Sequence, residues 1–265
     1  MVRLRPLNDN AITLKSSREI DAMREAGRRL QLLMKDLTEF TRAGVTCKEI
    51  DNYAAQRSRE YELKSGAYGY GHGSNRFPGY ICVSVNETVV HGIPGPLKLQ
   101  DGDIVSLDVA MSHRGYFADT CVTLPVGEIS AEKRRLLKVC EEALFAGIAE
   151  AKAGNRLTDI SHAIQEHAEA NDMNVVRDFV GHGIGRAMHE PPQVPHYGPP
   201  GRGPLLRPGM VICIEPQIVL GSPEVKFLAD GWTAVTVDGS LSAHFEHTVA
   251  ITPVGPQILT LPNPN

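Results

Sequence analysis

The chain has 265 residues, of which 42% are hydrophobic, with a formal net charge of -4 and a pI near 6.2. This length allows a substantial core, and the weakly acidic balance gives no reason to expect nucleic acid or an anionic membrane as the main partner. The five cysteines are odd in number and include no Cys-x-x-Cys pair, which argues against a disulfide framework and a thiolate zinc site.

The first segment, Met1–Asn10, has basic residues but no following apolar stretch of the length that a signal peptide needs. No part of the sequence approaches the apolar length that crosses a membrane. With cysteines typical of a reducing compartment, these features predict a cytoplasmic protein.

Two helices are predicted next. The first begins at Ser16 or Ser17, and its apolar residues follow at helical spacing: Ile20, Met23, Leu30, Leu33, Met34 and Leu37. Thr46 with Glu49 forms the capping box of a second helix, which runs to about residue 63.

The second half of the chain repeats this order. Ser130 begins a third helix that ends near residue 151, and a fourth helix, with Thr158 near its cap, ends near residue 171. Segments 80–126 and 175–254 are rich in Val, Ile and Thr, which predicts strands. Because Thr41–Ile50 aligns with Ala151–Ile160 at a distance of 110 residues, we predict one α/β domain over 1–265, with duplicated halves at about 12–127 and 128–255.

Two loops interrupt the repeat. Gly66–Pro78 has four glycines, and Pro191–Pro208 is rich in proline and glycine, so both predict turns rather than strands or helices. Substrate contact and plain connection are both open interpretations of these loops.

Each half carries a near-copy of one acidic phrase. Asp101–Asp108 and Pro208–Glu215 each contain a glycine turn, a β-branched apolar run and a final carboxylate. Such a run predicts a buried strand, in which an ionised carboxylate needs an opposite charge or a metal ion. A second acid follows each phrase, Asp119 and Glu246. Four carboxylates brought together by the duplication would take divalent metal as their counterion.

His182 lies between two glycines, which leave it little shielded on a bendable backbone, as suits a metal ligand. His189 follows seven residues later, within reach across a turn. A lone histidine is more often a satisfied core or surface residue, but the four acids favour a metal site here.

The chain resembles the type I methionine aminopeptidases, whose pita-bread fold is shared with aminopeptidase P, prolidase and creatinase. The resemblance covers residues 12–255. Five separated motifs carry it: Ser106–Val109, Asp119–Thr120, Gly181–Tyr197, Ile214–Pro216 and Phe245–Thr248. It implies an α/β (α+β) fold of two pseudo-twofold-related halves around a mostly antiparallel sheet.

The resemblance implies that five residues bind two divalent ions. Asp119 and Glu246 would bridge both ions, Asp108 would chelate one, and His182 with Glu215 would complete the other. A mostly oxygen set with one imidazole suits Mn, Fe(II) or Co better than structural zinc. On the resemblance alone, a monovalent cation, Na or K, would lie near Asn86, Thr88 and Ser242.

The same resemblance implies the catalytic roles. A hydroxide held by the two ions would attack the scissile amide, with Glu215 as general base and acid. His189 would hydrogen-bond the tetrahedral oxygen, and His91 would contact the peptide nitrogen.

A small apolar pocket for an unbranched thioether is implied at Phe77, Cys82, Met188 and Trp232. Met188 stands where the family usually has an aromatic residue, and Val90 where a cysteine is common. The loop 66–78 is longer than its family counterpart and leaves one pocket aromatic without a match. These departures concern the shape of the pocket, not the metal chemistry.

The resemblance therefore implies an enzyme that removes the initiator methionine from nascent chains with a small second residue. Nascent N-termini would be its partners, with the ribosome as a further candidate, and we predict a monomer. The alternatives are an Xaa-Pro aminopeptidase or prolidase, and a binding protein that kept the fold without activity.

Overall fold

The computed structural model describes residues 12–71, 73 and 75–261. The predictions made for Met1–Asn10 lie outside this range. Four helices are present among the described residues: α1 (Ser17–Phe40), α2 (Cys47–Glu60), α3 (Ala131–Glu150) and α4 (Leu157–Glu169). In the part of the chain described, no helix combines the length and apolar character needed to cross a bilayer.

Side-chain caps start three of the four helices. Ser16 accepts a hydrogen bond from the Glu19 N–H, and the Glu19 carboxylate accepts one from the Ser16 N–H, so the capping box belongs to Ser16 rather than Ser17. Thr46 and Glu49 form the predicted box at α2, and Ser130 caps α3. Each box satisfies two backbone N–H groups that have no partner inside the helix.

The fourth helix begins close to Thr158, as predicted. Arg156 occupies its N-cap, and Thr158 lies inside the first turn. Because arginine has no acceptor, Asp159 supplies the bond instead and accepts from the Arg156 N–H at 2.7 Å.

The chain also forms fifteen strands within its described part. They are β1 (Lys64–Ser65), β2 (Cys82–Val85), β3 (Thr88–Val90), β4 (Ile104–His113), β5 (Tyr116–Pro125), β6 (Asn174–Val175), β7 (Gly181–Gly183), β8 (Glu190–Val194), β9 (Val211–Ile214), β10 (Gln217–Val219), β11 (Val225–Phe227), β12 (Ala234–Thr236), β13 (Ser242–His244), β14 (Glu246–Thr252) and β15 (Gly255–Ile258). All of their pairings are antiparallel.

Nine of these strands form one large sheet, with the order β1-β4-β5-β14-β9-β7-β8 and with β2 on β4 and β15 on β14. Two three-stranded sheets, β13-β10-β6 and β11-β12-β3, complete the fold. The prediction that 191–208 contains no strand is wrong at its start, because β8 pairs with β7. Proline is tolerated there because β8 is an edge strand, where missing N–H donors do not break the sheet.

Each helix pair packs on the strands of its own half. One buried cluster joins α1 and α2 to β2, β4 and β5, and includes Leu33, Ile50 and Leu107. A second cluster joins α3 and α4 to β9 and β14, and includes Leu144, Ile160 and Ile212. The two clusters meet the large sheet on either side of the β5–β14 pairing, where strands of the two halves join.

Candidate metal centre

Five strands that lie side by side carry the five predicted ligands. In the sheet order β4-β5-β14-β9-β7, Asp108 lies on β4, Asp119 on β5, Glu246 on β14 and His182 on β7, and Glu215 directly follows β9. The sheet register aligns Asp108 with position 121 of β5, and the same position with Glu246. Residues from distant parts of the chain therefore meet in the middle of one sheet.

These side chains approach one another closely. Donor atoms of Asp119, His182, Cys213 and Glu246 all lie within 4.8 Å of one another. His182 Nε2 lies 3.5 Å from Glu215 Oε1. Asp119, Glu246 and His182 are buried, with 5%, 2% and 9% of their surface exposed.

The carboxylates raise one another's pKa. Burial, followed by the charges of Glu246 and Asp108, raises the pKa of Asp119 well above its usual range. Burial and the charges of Asp119 and Asp108 raise the pKa of Glu215 in the same way. Burial and the charges of Glu215 and Asp108 also raise the pKa of Glu246. Burial raises the pKa of Asp108 to about 6. A nearby positive charge would stabilise the ionised forms of these buried carboxylates.

Hydrogen bonds from neighbouring side chains hold two of the acidic residues in place. Thr248 Oγ1 accepts a hydrogen bond from the Asp119 N–H at 2.9 Å and donates one to the Asp119 carbonyl at 2.8 Å. The Glu215 N–H donates to His196 Nε2 at 3.2 Å, and Gln217 Nε2 donates to Glu215 Oε2 at 3.4 Å. These contacts orient the carboxylates before anything binds.

The tautomer of His182 follows from its neighbour. His182 Nδ1 lies 2.9 Å from the Gly183 carbonyl oxygen, which only accepts, so Nδ1 carries the proton. The lone pair of Nε2 is then free on the side of Glu215. Burial lowers the pKa of His182 to about 3, so the imidazole is neutral, as a metal ligand must be.

Two carboxylate oxygens supply a test of whether a metal fits. Asp119 Oδ1 and Glu246 Oε1 are buried, and neither has a hydrogen-bond partner among the described residues. Buried polar oxygens are costly in that state, whereas a divalent cation between them would satisfy both. Four carboxylates and a neutral imidazole therefore fit a divalent metal site.

Comparison with known proteins agrees with this geometry. The model of metallopeptidase family M24 matches residues 21–253. The chain belongs to metallopeptidase family M24. It is 51% identical over 249 residues to methionine aminopeptidase 1 of Bacillus subtilis, covering 94% of this chain and 99% of that protein. It is 52% identical over 250 residues to the methionine aminopeptidase of Clostridium perfringens, with the same coverage.

A solved structure of a methionine aminopeptidase has the same fold as this M24 member. The methionine aminopeptidase of Thermotoga maritima superposes with a TM-score of 0.90 at 43% identity, covering 94% of this chain and 99% of that one. The predicted resemblance to type I methionine aminopeptidases and the predicted pita-bread fold are confirmed.

Of the two predicted catalytic histidines of this M24 member, His189 lies beside the predicted ligand His182. The His189 ring is 4.3 Å from the His182 ring between centroids, and the His189 side chain is exposed. His91 has a left-handed backbone (φ 56°), and burial together with nearby His189 lowers its pKa to about 4. His91 is therefore neutral near pH 7.

The predicted pocket residues lie in three places. Trp232 faces Phe77 and His91 edge to face, with ring centroids 5.5 Å and 6.4 Å apart. Cys82 lies opposite Asp108 in the sheet, at the metal centre. Met188 packs near Gly66, at the start of the glycine-rich loop. The structure thus places Cys82 beside the predicted ligand Asp108, while contact of the four residues with a substrate stays a prediction.

Two residues at the site were not predicted. Cys213 contributes its sulfur to the group of donor atoms around Asp119. Its place two residues before Glu215 on one strand could have revealed it, because alternate residues share a face. Tyr70 contacts His189 from the glycine-rich loop, and no local spacing signals such a contact.

Proposed function

We propose that this chain removes the N-terminal methionine from peptides and nascent proteins in a metal-dependent reaction. The observation that carries the proposal is the convergence of four mutually repelling carboxylates and one neutral imidazole, with two buried oxygens lacking partners among the described residues. The names of the relatives that match nearly the whole chain support the choice of methionine.

The metal would be held by Asp108, Asp119, His182, Glu215 and Glu246. When bound, divalent ions activate a water molecule as the nucleophile and polarise the carbonyl group of the substrate. Because four of the five ligands are carboxylates, we propose Mn, Fe(II) or Co as the ions that support the reaction. The monovalent cation near Asn86, Thr88 and Ser242 stays a proposal from the resemblance.

Glu215 is the proposed proton carrier. Burial and the charges of Asp119 and Asp108 raise its pKa, which makes its carboxylate a better acceptor for a proton from water that it can later give to the leaving amine. Gln217 and His196 restrict its movement through the hydrogen bonds described above.

The histidines on either side would bind the scissile amide. His189 would donate a hydrogen bond to the carbonyl oxygen as negative charge develops there, and His91 would contact the peptide nitrogen. Both are neutral near pH 7: burial lowers the pKa of His91, and the protein around the ring of His189, which still reaches solvent, lowers its pKa by partial desolvation.

The methionine side chain would lie against Phe77, Trp232, Cys82 and Met188. Aromatic edges and sulfur atoms suit a flexible thioether, since sulfur contacts the rims of aromatic rings favourably. A small second residue is proposed from the resemblance. Nascent N-termini as partners, docking to the ribosome and a monomeric state are proposed on the same ground. A cytoplasmic location is proposed from the cysteines and the N-terminal segment, and a single domain from the duplication.

The experiment measures hydrolysis of Met-Ala-Ser and Ala-Pro-Ser by chelator-treated protein with Mn, Fe(II) or Co added back singly. Release of methionine from the first peptide alone, dependent on added metal, is the expected result. Glu246→Gln should abolish it, whereas Glu128→Gln, at a side chain that is 96% exposed, should not. Cleavage of only the proline peptide would indicate an Xaa-Pro peptidase, and failure on both would indicate a binding protein.

A further inference from the structure

The glycine-rich loop presents a tyrosine to the candidate active site. Tyr70 Oη lies 2.8 Å from His189 Nδ1, and the two rings meet edge to face with centroids 5.3 Å apart. This hydroxyl is the partner on the side of the imidazole remote from Nε2.

The backbone holds Tyr70 in this position. The Tyr70 N–H donates to the Ala67 carbonyl, and the Tyr70 carbonyl accepts from the Phe77 N–H, both at 2.9 Å. The Gly69 N–H donates to the Phe77 carbonyl, also at 2.9 Å, so the loop closes on itself directly beside Tyr70. The loop also packs on Trp232, since an added Cβ at Gly71 would lie 3.0 Å from the indole.

The direction of the hydrogen bond between Tyr70 and His189 depends on the tautomer of the imidazole. A phenol keeps its proton near neutral pH and can donate it, whereas a neutral imidazole carries its single proton on only one nitrogen. If Tyr70 donates to Nδ1, then Nε2 of His189 must carry the ring proton.

We propose that Tyr70 is a positioning residue that fixes His189 in the tautomer with its proton on Nε2. The neighbouring His182 has the opposite tautomer, because its Nδ1 donates to the Gly183 carbonyl. Two imidazoles with centroids 4.3 Å apart therefore present different groups, a lone pair for metal on His182 and an N–H donor on His189.

The catalytic consequence rests on the proposed function. An N–H at His189 Nε2 can stabilise the developing charge on the carbonyl oxygen of the substrate, whereas a bare Nε2 would repel it. Since this bond matters most in the transition state, loss of the Tyr70 hydroxyl should lower kcat more than it raises KM.

The first test does not depend on activity. In metal-free protein labelled with ¹⁵N in histidine, NMR shifts report which ring nitrogen is protonated, and a His189→Asn variant assigns the signals. We expect parent protein and Tyr68→Phe to show His189 protonated on Nε2, and Tyr70→Phe to show a mixture of tautomers. Tyr68 is the matched control because it lies on the same loop, is 61% exposed and packs on Tyr80. A parent protein with the proton on Nδ1, or an unchanged spectrum in Tyr70→Phe, would overturn the proposal.

The second test uses turnover of Met-Ala-Ser. Tyr70→Phe should lower kcat roughly tenfold, in the range expected for one net hydrogen bond, and change KM less than about twofold. Tyr68→Phe should match the parent. If kcat does not change while the tautomer does, the role of Tyr70 in catalysis is refuted. If parent protein cleaves no peptide, the proposed function fails, and the NMR result still decides the tautomer.

Discussion

Replacing Asp108 by asparagine should stabilise the metal-free protein. Burial raises the pKa of Asp108 from 3.8 to about 6, so its ionised form disfavours the folded state above that pH. Each pKa unit corresponds to about 1.4 kcal/mol, which gives a cost of about 3 kcal/mol at pH 7.5. Because the charge of Asp108 also raises the pKa of Asp119 and Glu246, its removal lowers their cost as well.

The sign of the pH dependence follows from the direction of this shift. A carboxyl group with a raised pKa in the folded state favours folding when it is protonated, and this contribution is lost as the pH rises towards 6. The stability advantage of Asp108→Asn should therefore be largest above pH 6 and disappear near pH 3.8.

Urea unfolding of chelator-treated parent and variant, at pH 7.5 and at lower pH, measures this difference. Asp36→Asn is the control with the opposite sign. Burial alone would raise the pKa of Asp36, but hydrogen bonds from Tyr61 and Arg57 outweigh it and lower the pKa, so this variant should be less stable than the parent. An Asp108→Asn protein less stable than the parent at pH 7.5 without metal would refute the reasoning.

Three further results are expected. Glu246→Gln should reduce methionine release from Met-Ala-Ser at least about 100-fold at saturating metal while leaving the circular dichroism spectrum unchanged, and activity near the parent level would exclude Glu246 as a ligand. Gly27→Ala should lower the free energy of unfolding by about 1–3 kcal/mol in urea titration, because an added Cβ would lie 2.1 Å from the Leu259 carbonyl oxygen. Lys15→Met should cost about 3–5 kcal/mol, since the 2.7 Å ion pair with Glu190 is largely buried and its loss leaves a carboxylate without a counterion. A thermal midpoint equal to that of the parent would contradict this last expectation.

The sequence predicted the features that depend on neighbouring residues. The capping box of Thr46 and Glu49 and the cap at Ser130 are local signals, and the structure contains both. The strands that carry Asp108 and Glu215 follow from their apolar runs. Strand β8 was not predicted, because proline content indicates a loop unless the position at the sheet edge is known.

The arrangement of the site depends on contacts between distant residues. That the acids would converge could be inferred from the duplication, but the order of the five strands could not. Tyr70 and His189 are 119 residues apart, and only the folded loop brings them together. In the sequence Cys213 is only one residue of an apolar run. Because it lies two residues before Glu215, both side chains are expected on the same face of the sheet.

The order of the five strands also means that the proposed metal ligands come from both halves of the chain. Asp108 and Glu246 come from different halves, and the pairing of β5 with β14 is what joins the halves in the large sheet. Binding and folding are linked, so if the proposed ligands hold a metal, a substitution that weakens this junction should also weaken metal binding, even from a position far from the ligands. With ligands proposed from both halves, the affinity for metal would then report how completely the two halves have assembled.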